Sequence, residues 1–233
     1  MADQAVEDDI FVYTGGRAPQ HVVNVIIDES VSEIDDMAFY DNRNLRCVSC
    51  HEGVEIIGLY AFFKCPLLRR IELLGVKLIL EKAFYECRGL EDVEFGDVLE
   101  TVEDGAFNQC IFSSCITFQS VRSIGNASFW GCTGITDVEF SENLERIGRY
   151  AFAGCSNLRR VAIPLKDGIL LFPYVSSNLP KCTQFHRTKN LATVDLVGRV
   201  HKTVASLHLE SWRNEMNEEI DRINRVLPTT GGR

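Results

Sequence analysis

The residues with the clearest potential for chemistry form the run Cys47-Val48-Ser49-Cys50-His51. This spacing matches the C-x-x-C-H pattern through which haem is attached to protein. The repeat described below places this run on a β-strand, and residues three apart on a strand point to opposite faces. Two thiols on opposite faces do not easily reach one haem or one zinc ion. We therefore interpret Cys50 as an inward residue and Cys47 as an outward one, and expect no metal or haem site.

The chain has nine cysteines, and five of them recur at steps of 22–23 residues: Cys65, Cys87, Cys110, Cys132 and Cys155. In stacked coils their Cα atoms would lie about 5 Å apart, near the range of a disulfide. Parallel, packed side chains in a reducing compartment favour free thiols that act as small apolar residues. Cys47 and Cys115 are predicted to face outward and are the better candidates for oxidation.

No arrangement of residues typical of an enzyme is found. The five histidines form no catalytic set, and His201 and His208 are seven residues apart, too far for one metal site on a helix. Walker loops, H-E-x-x-H and G-x-G-x-x-G are absent from the sequence. The glycosylation sequon Asn126-Ala127-Ser128 is interpreted as chance. We predict a protein that is not an enzyme and that uses no cofactor.

The cysteines belong to a repeat that extends through most of the chain. A pair of residues, Ala-Phe in all but one copy, recurs at steps of 22–23 residues, with its first members at Ala38, Ala61, Ala83, Ala106, Ser128 and Ala151. A β-branched residue stands four positions before each pair, at Ile34, Ile57, Ile79, Val102, Ile124 and Ile147. A period of this length is typical of leucine-rich repeats.

Each repeat also contains a block of the form L-x-x-V-x-F, whose last three residues alternate as in a β-strand. Its central residues are Val48, Ile71, Val93, Ile116, Val138 and Val161, with Val25 as an earlier copy. Each unit is therefore predicted as a strand, a turn, and a short turn of helix or 3₁₀-helix. Stacking the units predicts a parallel sheet of about seven strands, about 30 Å long, over one continuous core.

The phrases GVEIIGLYAFFKCPLLRRIEL and NLERIGRYAFAGCSNLRRVAI resemble the BspA-like, or Treponema-type, leucine-rich repeats. The resemblance covers six copies between Val22 and Ile163, with departures at Asn42, Ser113 and Ser128. It implies an α/β solenoid, a right-handed leucine-rich-repeat coil that presents a sheet for protein binding. In bacteria this family looks like surface adhesins.

The sequence divides into five segments. We predict an N-terminal cap over residues 1–20, the solenoid over 21–164, an irregular or helical connection over 165–205, and a flexible tail over 229–233. The repeat is expected to stop after Ile163, and the apolar spacing over residues 191–207 allows either a helix or a strand. Residues 206–228 carry one apolar stripe and are predicted as an amphipathic C-terminal helix, either a cap or a docking element.

Composition restricts the class of partner. The net charge of −9 argues against nucleic acid and anionic membrane, which both need a basic surface. No apolar run is long enough for a transmembrane helix, and the acidic residues 1–9 do not read as a signal peptide. We therefore expect a cytoplasmic location. A monomer is expected, with dimerisation through the C-terminal helix as the alternative.

Strand alternation predicts two outward columns on the sheet, one beginning at Asn24 and Cys47 and the other at Ile26 and Ser49. The partner-binding residues predicted from these columns are Arg70, Glu72, Asp92, Glu94, Thr117, Asp137, Glu139 and Arg160. Arg70–Asp92 and Asp137–Arg160 are neighbours along the stack, so part of the charge is compensated. The leading hypothesis is a non-catalytic scaffold that binds a protein segment carrying Lys or Arg. The alternatives are a solvated polar face, and a self-assembling or adhesin-like structural protein.

Overall fold

The protein is described by a computed structural model, which covers residues 10–111, 115–164, 169, 184–197 and 202–205. In chain order its strands are β1 (Ile10–Tyr13), β2 (Asn24–Ile27), β3 (Glu33–Ile34), β4 (Cys47–Ser49), β5 (Ile56–Ile57), β6 (Arg70–Leu73), β7 (Leu78–Ile79), β8 (Asp92–Phe95), β9 (Thr101–Val102), β10 (Cys115–Phe118), β11 (Ser123–Ile124), β12 (Asp137–Phe140), β13 (Arg146–Ile147), β14 (Arg160–Pro164), β15 (Thr193–Val197) and β16 (Lys202–Ala205). They form a parallel β-solenoid, which confirms the leucine-rich-repeat coil predicted from the sequence.

The longer strands stack along one side of the solenoid as two five-stranded sheets, in the orders β1-β2-β4-β6-β8 and β10-β12-β14-β15-β16. Every pair in them is parallel except β15 with β16, which is antiparallel. The seven predicted strands are β2, β4, β6, β8, β10, β12 and β14, and all seven are present. Successive coils stack because these strands pair with their equivalents one repeat away. The exception is β8 with β10, which do not pair, so the seven strands belong to two sheets and not to the one sheet predicted.

A third sheet, which the sequence did not predict, is built from the two-residue strands β3, β5, β7, β9, β11 and β13. Each of these strands ends on the buried β-branched residue that precedes the Ala-Phe pair, such as Ile34 or Ile57. The helix or 3₁₀ turn predicted for this part of the repeat is wrong for the described residues, which contain strands and turns but no helix. None of the described residues therefore forms a helix that could cross a membrane.

The turn around each Ala-Phe pair is bonded to the next coil. The N–H of Phe39 donates to the carbonyl of Ala61 at 2.7 Å, and the same bond recurs in the following coils. Residues with positive φ flank the pair on both sides, as Tyr60 (φ 55) and Lys64 (φ 56) do around Ala61. The residues at the Ala position, such as Ala61 and Ala83, are fully buried in these turns.

The phenylalanines of these pairs form a continuous stack through the core, which we call the phenylalanine ladder. Successive ring centroids lie 4.9–5.7 Å apart, and the ring planes are inclined by at most 11°. Its members are Phe39, Phe62, Phe84, Phe107, Phe129, Phe152 and Phe185, all of which belong to one hydrophobic cluster. The prediction that the rungs share one core is thus confirmed.

The prediction that the repeat stops at Ile163 is wrong. Phe185 stacks on Phe152, and β15 pairs in parallel with β14, so residues 184–197 form a seventh copy. The step from Phe152 to Phe185 is longer than 22–23 residues, and Gln184 and Thr188 replace the usual Ala and Cys. Of the alternatives for residues 191–207, the structure shows strands at β15 and β16. The helix predicted over 206–228 and the tail over 229–233 lie outside the described residues.

The N-terminal end of the core is covered by β1 and the residues that follow it. Tyr13 is fully buried, its ring lies 5.1 Å from that of Phe39, and its hydroxyl donates to the carbonyl of Gly16 at 2.9 Å. The Asp35 carboxylate lies 3.1 Å from the same hydroxyl and accepts the N–H of Gly16. Burial raises the pKa of Tyr13 well above its ordinary value, so the phenol stays protonated in this cap.

Candidate protein-interaction surface

The outward sides of the longer strands form a surface that we call the long-strand face. Register aligns the predicted columns: Cys47 lies beside Arg70, Arg70 beside Asp92, and Glu72 beside Glu94. In the second sheet Cys115 lies beside Asp137, and Thr117 beside Glu139. The alignment of these predicted residues within each sheet is therefore as expected.

Arg70 stands at the centre of one charged cluster on this face. Its guanidinium lies 2.9 Å from Glu72, 3.5 Å from Asp92 and 3.8 Å from Glu94. All four side chains are more than a third exposed, so each ion pair contributes about 0–1 kcal/mol to stability. Three carboxylates around one guanidinium leave the cluster negative, and the predicted compensation of Asp92 by Arg70 is confirmed.

Arg160 organises a second cluster, but with partners other than the predicted one. Its guanidinium lies 3.3 Å from Glu139 and 2.5 Å from Asp195, whereas no ion pair with Asp137 is present. The hydrogen bond to Asp195 is the main cause of the raised pKa of Arg160. Asp195 belongs to the seventh copy, so its place beside Arg160 could be found only by recognising Gln184–Leu191 as a further repeat.

The two clusters are separated by uncharged residues. β10 contributes Cys115 and Thr117, both exposed, and the hydrogen-bonded sheet is interrupted between β8 and β10. Strand alternation places Ala162 one copy beyond Glu139 in the same outward column, but the structure shows Ala162 fully buried. The structure thus groups Arg70, Glu72, Asp92 and Glu94, and separately Glu139 with Arg160.

The long-strand face carries more uncompensated negative charge than the neighbouring face. Its columns hold six carboxylates, from Glu72, Asp92, Glu94, Asp137, Glu139 and Asp195, against the two guanidinium groups of Arg70 and Arg160. Beside the two-residue strands, the charges instead alternate along the stack in the order Glu55, Lys77, Glu100, Arg122 and Glu145. We call this second surface the short-strand face. Lys77 lies 2.7 Å from Glu55, and Arg122 lies 3.2 Å from Glu145.

The C-x-x-C-H run is built into the solenoid. Cys47 faces outward on β4, while Cys50 packs against the core, and burial is the main cause that raises the pKa of its thiol to about 12. His51 Nε2 lies 3.0 Å from the carbonyl of Asp28, and His51 Nδ1 accepts the N–H of Gly53 at 3.0 Å. Both ring nitrogens of His51 are therefore engaged in hydrogen bonds to backbone groups of the loops. Within the described ranges, no three His, Cys, Asp or Glu side chains cluster as metal ligands do.

A row of aromatic side chains on the turns was not predicted. Tyr40 stacks on Phe63 at 5.0 Å and Phe63 on Tyr85 at 5.2 Å, all three partly exposed. Trp130, two coils beyond Tyr85 in the same position, is exposed. The sequence does contain a signal for this row, because an aromatic residue directly follows several members of the phenylalanine ladder.

Comparison with known proteins places this architecture in a family. Residues 19–76 and 73–169 match the BspA type leucine-rich repeat region in six copies. A leucine-rich repeat protein from Bacteroides ovatus is 31% identical over 61% of this chain, with a TM-score of 0.54. The match spans 37% of the length of that protein. The leucine-rich repeat protein of T. pallidum is 24% identical over 79% of this chain and 72% of its own, with a TM-score of 0.49.

No curated protein sequence matches the chain. The family assignment rests on the six repeat copies, which cover more than half of the residues. These copies contain the same Ala-Phe turns and strands whose stacking the structure shows. The chain belongs to the family of BspA-type leucine-rich-repeat proteins.

Proposed function

We propose that the chain is a non-catalytic protein–protein interaction scaffold that binds its partner on the long-strand face. The observation that carries this proposal is the surplus of carboxylates over guanidinium groups on the exposed side of a stacked parallel sheet. Extended exposed surfaces are the usual binding sites of solenoid proteins. The membership of the chain in a repeat family supports the same class of function.

The partner is proposed to present a segment that carries Lys or Arg. Each cluster has a guanidinium at its centre and carboxylates around it, so basic side chains of a partner would meet Glu72, Glu94 and Glu139 at the surface. Such complementarity mainly accelerates association and selects the partner, and salt weakens it. Nucleic acid and anionic membrane are disfavoured as partners, because both would face carboxylates of like charge.

The test is a charge reversal with a matched control. A triple variant, Glu72→Lys, Glu94→Lys and Glu139→Lys, changes the long-strand face. The control reverses the same number of exposed glutamates on the short-strand face: Glu55→Lys, Glu100→Lys and Glu145→Lys. Both variants change the net charge equally, so a difference between them reports the position of the charge and not its amount.

Pull-downs analysed by mass spectrometry, and titration with an unstructured lysine-rich peptide, give the readout. We expect the wild type and the control to capture the same proteins, and the long-strand variant to lose them. Peptide binding should weaken at least tenfold in the long-strand variant and with added salt. Identical capture profiles for all three proteins would refute the proposed binding face.

A second candidate function is a self-assembling or adhesin-like structural protein. The observation that favours it is the apolar stripe of the C-terminal segment, formed by Leu209, Trp212, Met216, Ile220, Ile223 and Leu227. Such a stripe suits a helix that docks on a partner or on the last coil as a cap. Deletion of residues 206–233 separates the two roles. A lower assembly mass indicates assembly, and an unchanged mass with reduced solubility indicates a cap.

We also propose a reducing compartment, with the cytoplasm as the expected location. The buried thiols of Cys65, Cys87, Cys110, Cys132 and Cys155 each donate a hydrogen bond to a backbone carbonyl, which requires the protonated, reduced form. Imaging of the tagged full chain tests the location, and an exclusively extracellular signal would reject it.

A further inference from the structure

The strand β1 forms the N-terminal edge of the solenoid among the described residues. In β1, the carbonyl of Tyr13 accepts the N–H of Asp28 at 2.9 Å, so the backbone groups of Tyr13 and Phe11 face β2. Because N–H and C=O directions alternate along a strand, the groups of Ile10 and Val12 face away from β2. Among the described residues, nothing bonds to β1 on that side.

The side chains at this edge are aliphatic and exposed. Ile10 is 56% exposed and Val12 is 50% exposed, and Ile26 beside Val12 on β2 is 44% exposed. The rest of this end of the long-strand face, Asn24 and Ser49 included, is uncharged, whereas charge begins at β6. Soluble proteins usually protect an edge strand with Lys, Pro or a bulge. β1 has none of these, while β16 at the opposite edge contains Lys202.

We propose that β1 pairs with β1 of a second copy of this chain, antiparallel, about a twofold axis at Phe11. This register places Ile10 opposite Val12 of the second copy, and both residues direct N–H and C=O toward the partner strand. Two such pairs supply about four backbone hydrogen bonds. The outward side chains of Ile10 and Val12 then pair across the strands, which stabilises a sheet by burial of apolar surface.

The occupant is a second copy because the edge is complementary to itself. Phe11, which is partly buried against the end of the core, meets Phe11 of the second copy at the axis, so each chain buries more of the other's Phe11 ring. The strand β1 and its neighbours on this face, Asn24, Ile26, Cys47 and Ser49, are uncharged, so no like charges oppose each other within the paired strands. An isologous contact also closes on itself and stops at two chains.

This dimer differs from the monomer expected from the sequence. Its consequence for binding rests on the proposed function of the long-strand face. The dimer joins two long-strand faces into one sheet surface with two copies of the clusters at Arg70 and Arg160. A partner with repeated basic segments would then bind both copies, and the second contact would form at high effective concentration.

The test uses the full chain and two variants of one residue. Val12→Pro removes the N–H that faces the open edge but leaves the backbone groups of Phe11 and Tyr13 that bond to β2. Val12→Lys places a charge at the edge. The control is Leu67→Lys, which replaces an aliphatic side chain of comparable exposure (43%) remote from β1. Circular dichroism melting of each variant establishes that it is folded.

Light scattering during size exclusion, at loading concentrations up to roughly 100 µM, measures the mass. We expect wild type and Leu67→Lys to approach twice 26.3 kDa and to dissociate on dilution, and both Val12 variants to remain at 26.3 kDa. A wild-type chain that stays at 26.3 kDa at every concentration overturns the proposal, as does a dimer that persists in both Val12 variants. Unchanged partner capture by the long-strand variant, with the wild-type dimer present, would refute only the proposed binding face and not the dimer.

Discussion

The thiol of Cys87 donates a hydrogen bond to the carbonyl oxygen of Phe62, in the preceding coil, at 2.9 Å. The carbonyl oxygen of Phe62 also accepts the backbone N–H of Cys65 at 3.2 Å. The thiol of Cys87 therefore occupies the second acceptor site of this carbonyl. The bond recurs for each cysteine in this position, at 2.9–3.1 Å. Asn42 and Thr188, which hold the position in the first and last copies, also donate to backbone carbonyls. The repeat therefore needs a small side chain with a donor at this point.

Removal of one of these thiols should weaken the fold measurably. We expect Cys87→Ala to lower the free energy of unfolding by about 1–2 kcal/mol, because it removes a buried hydrogen bond and leaves a small cavity. Cys47→Ala, at a half-exposed outward position, should change it by less than about 0.5 kcal/mol. Urea unfolding followed by circular dichroism measures both. Equal effects of the two substitutions would show that the thiol bond is unimportant.

Alkaline pH should destabilise the protein through the same thiols. Burial is the main cause that raises the pKa of Cys155 from 9.0 to about 12, and it also raises the pKa of Cys87 and Cys132. A raised pKa in the folded state means that the stabilisation is complete below pH 9.0 and is lost as pH rises toward 12. The urea midpoint should thus be constant near neutral pH and fall above pH 9.0.

A matched variant identifies the source of this pH dependence. Cys87→Ala removes one of these buried thiols, so the urea midpoint of the variant should fall less steeply with pH than that of the wild type. Tyr13, whose pKa is also raised by burial, adds a further loss above pH 10.0 in both proteins. A midpoint that does not change between neutral pH and pH 10.0 would contradict the role given to the buried thiols.

Two glycines should respond differently to the same substitution. A Cβ at Gly96 would lie 1.8 Å from the carbonyl oxygen of Leu74, and backbone there cannot give way easily. We expect Gly96→Ala to cost more than about 3 kcal/mol. Gly131 has φ +70 but no atom within 3.4 Å of its Cβ, and Gln109 adopts φ 59 at the same position of the preceding copy. Gly131→Ala should cost about 1 kcal/mol. Thermal or urea unfolding measures the loss of stability in each variant. A larger loss in Gly131→Ala than in Gly96→Ala would contradict the close approach of Gly96 to the backbone of Leu74.

The seventh copy should detach when its core residue is truncated. Phe185 stacks on Phe152 at 5.7 Å, and in a solenoid each coil is stabilised mainly by its neighbours. We expect Phe185→Ala to expose residues 184–197 to limited proteolysis while the preceding coils stay protected. Phe63→Ala, which removes a partly exposed ring from the turns, should leave the cleavage pattern unchanged. An unaltered pattern in Phe185→Ala would mean that the last copy does not depend on the ladder.

Much of the architecture could be predicted from the sequence because each repeat contributes the same residue to the same layer. The recurrence of Ala61-Phe62 and its equivalents at one period predicts stacked rings, and the alternation within Arg70–Leu73 predicts which side chains face outward. Both are local patterns repeated in register, so the pairing of Arg70 with Asp92 could be inferred without coordinates. The C-x-x-C-H run could likewise be interpreted as strand residues, because Cys50 holds the position of Leu73 in the next copy.

What the sequence determined by itself was the coil and its inward and outward columns, since burial of one apolar side per repeat requires that periodicity. The tertiary structure decided what depends on contacts between distant segments. Asp195 meets Arg160 only because β15 pairs with β14 across an interval of sequence longer than the repeat, which hides the seventh copy from any fixed period. The two-residue strands, such as β5, exist only through bonds to neighbouring coils. The side of β1 to which none of the described residues bonds is likewise visible only in the assembled sheet.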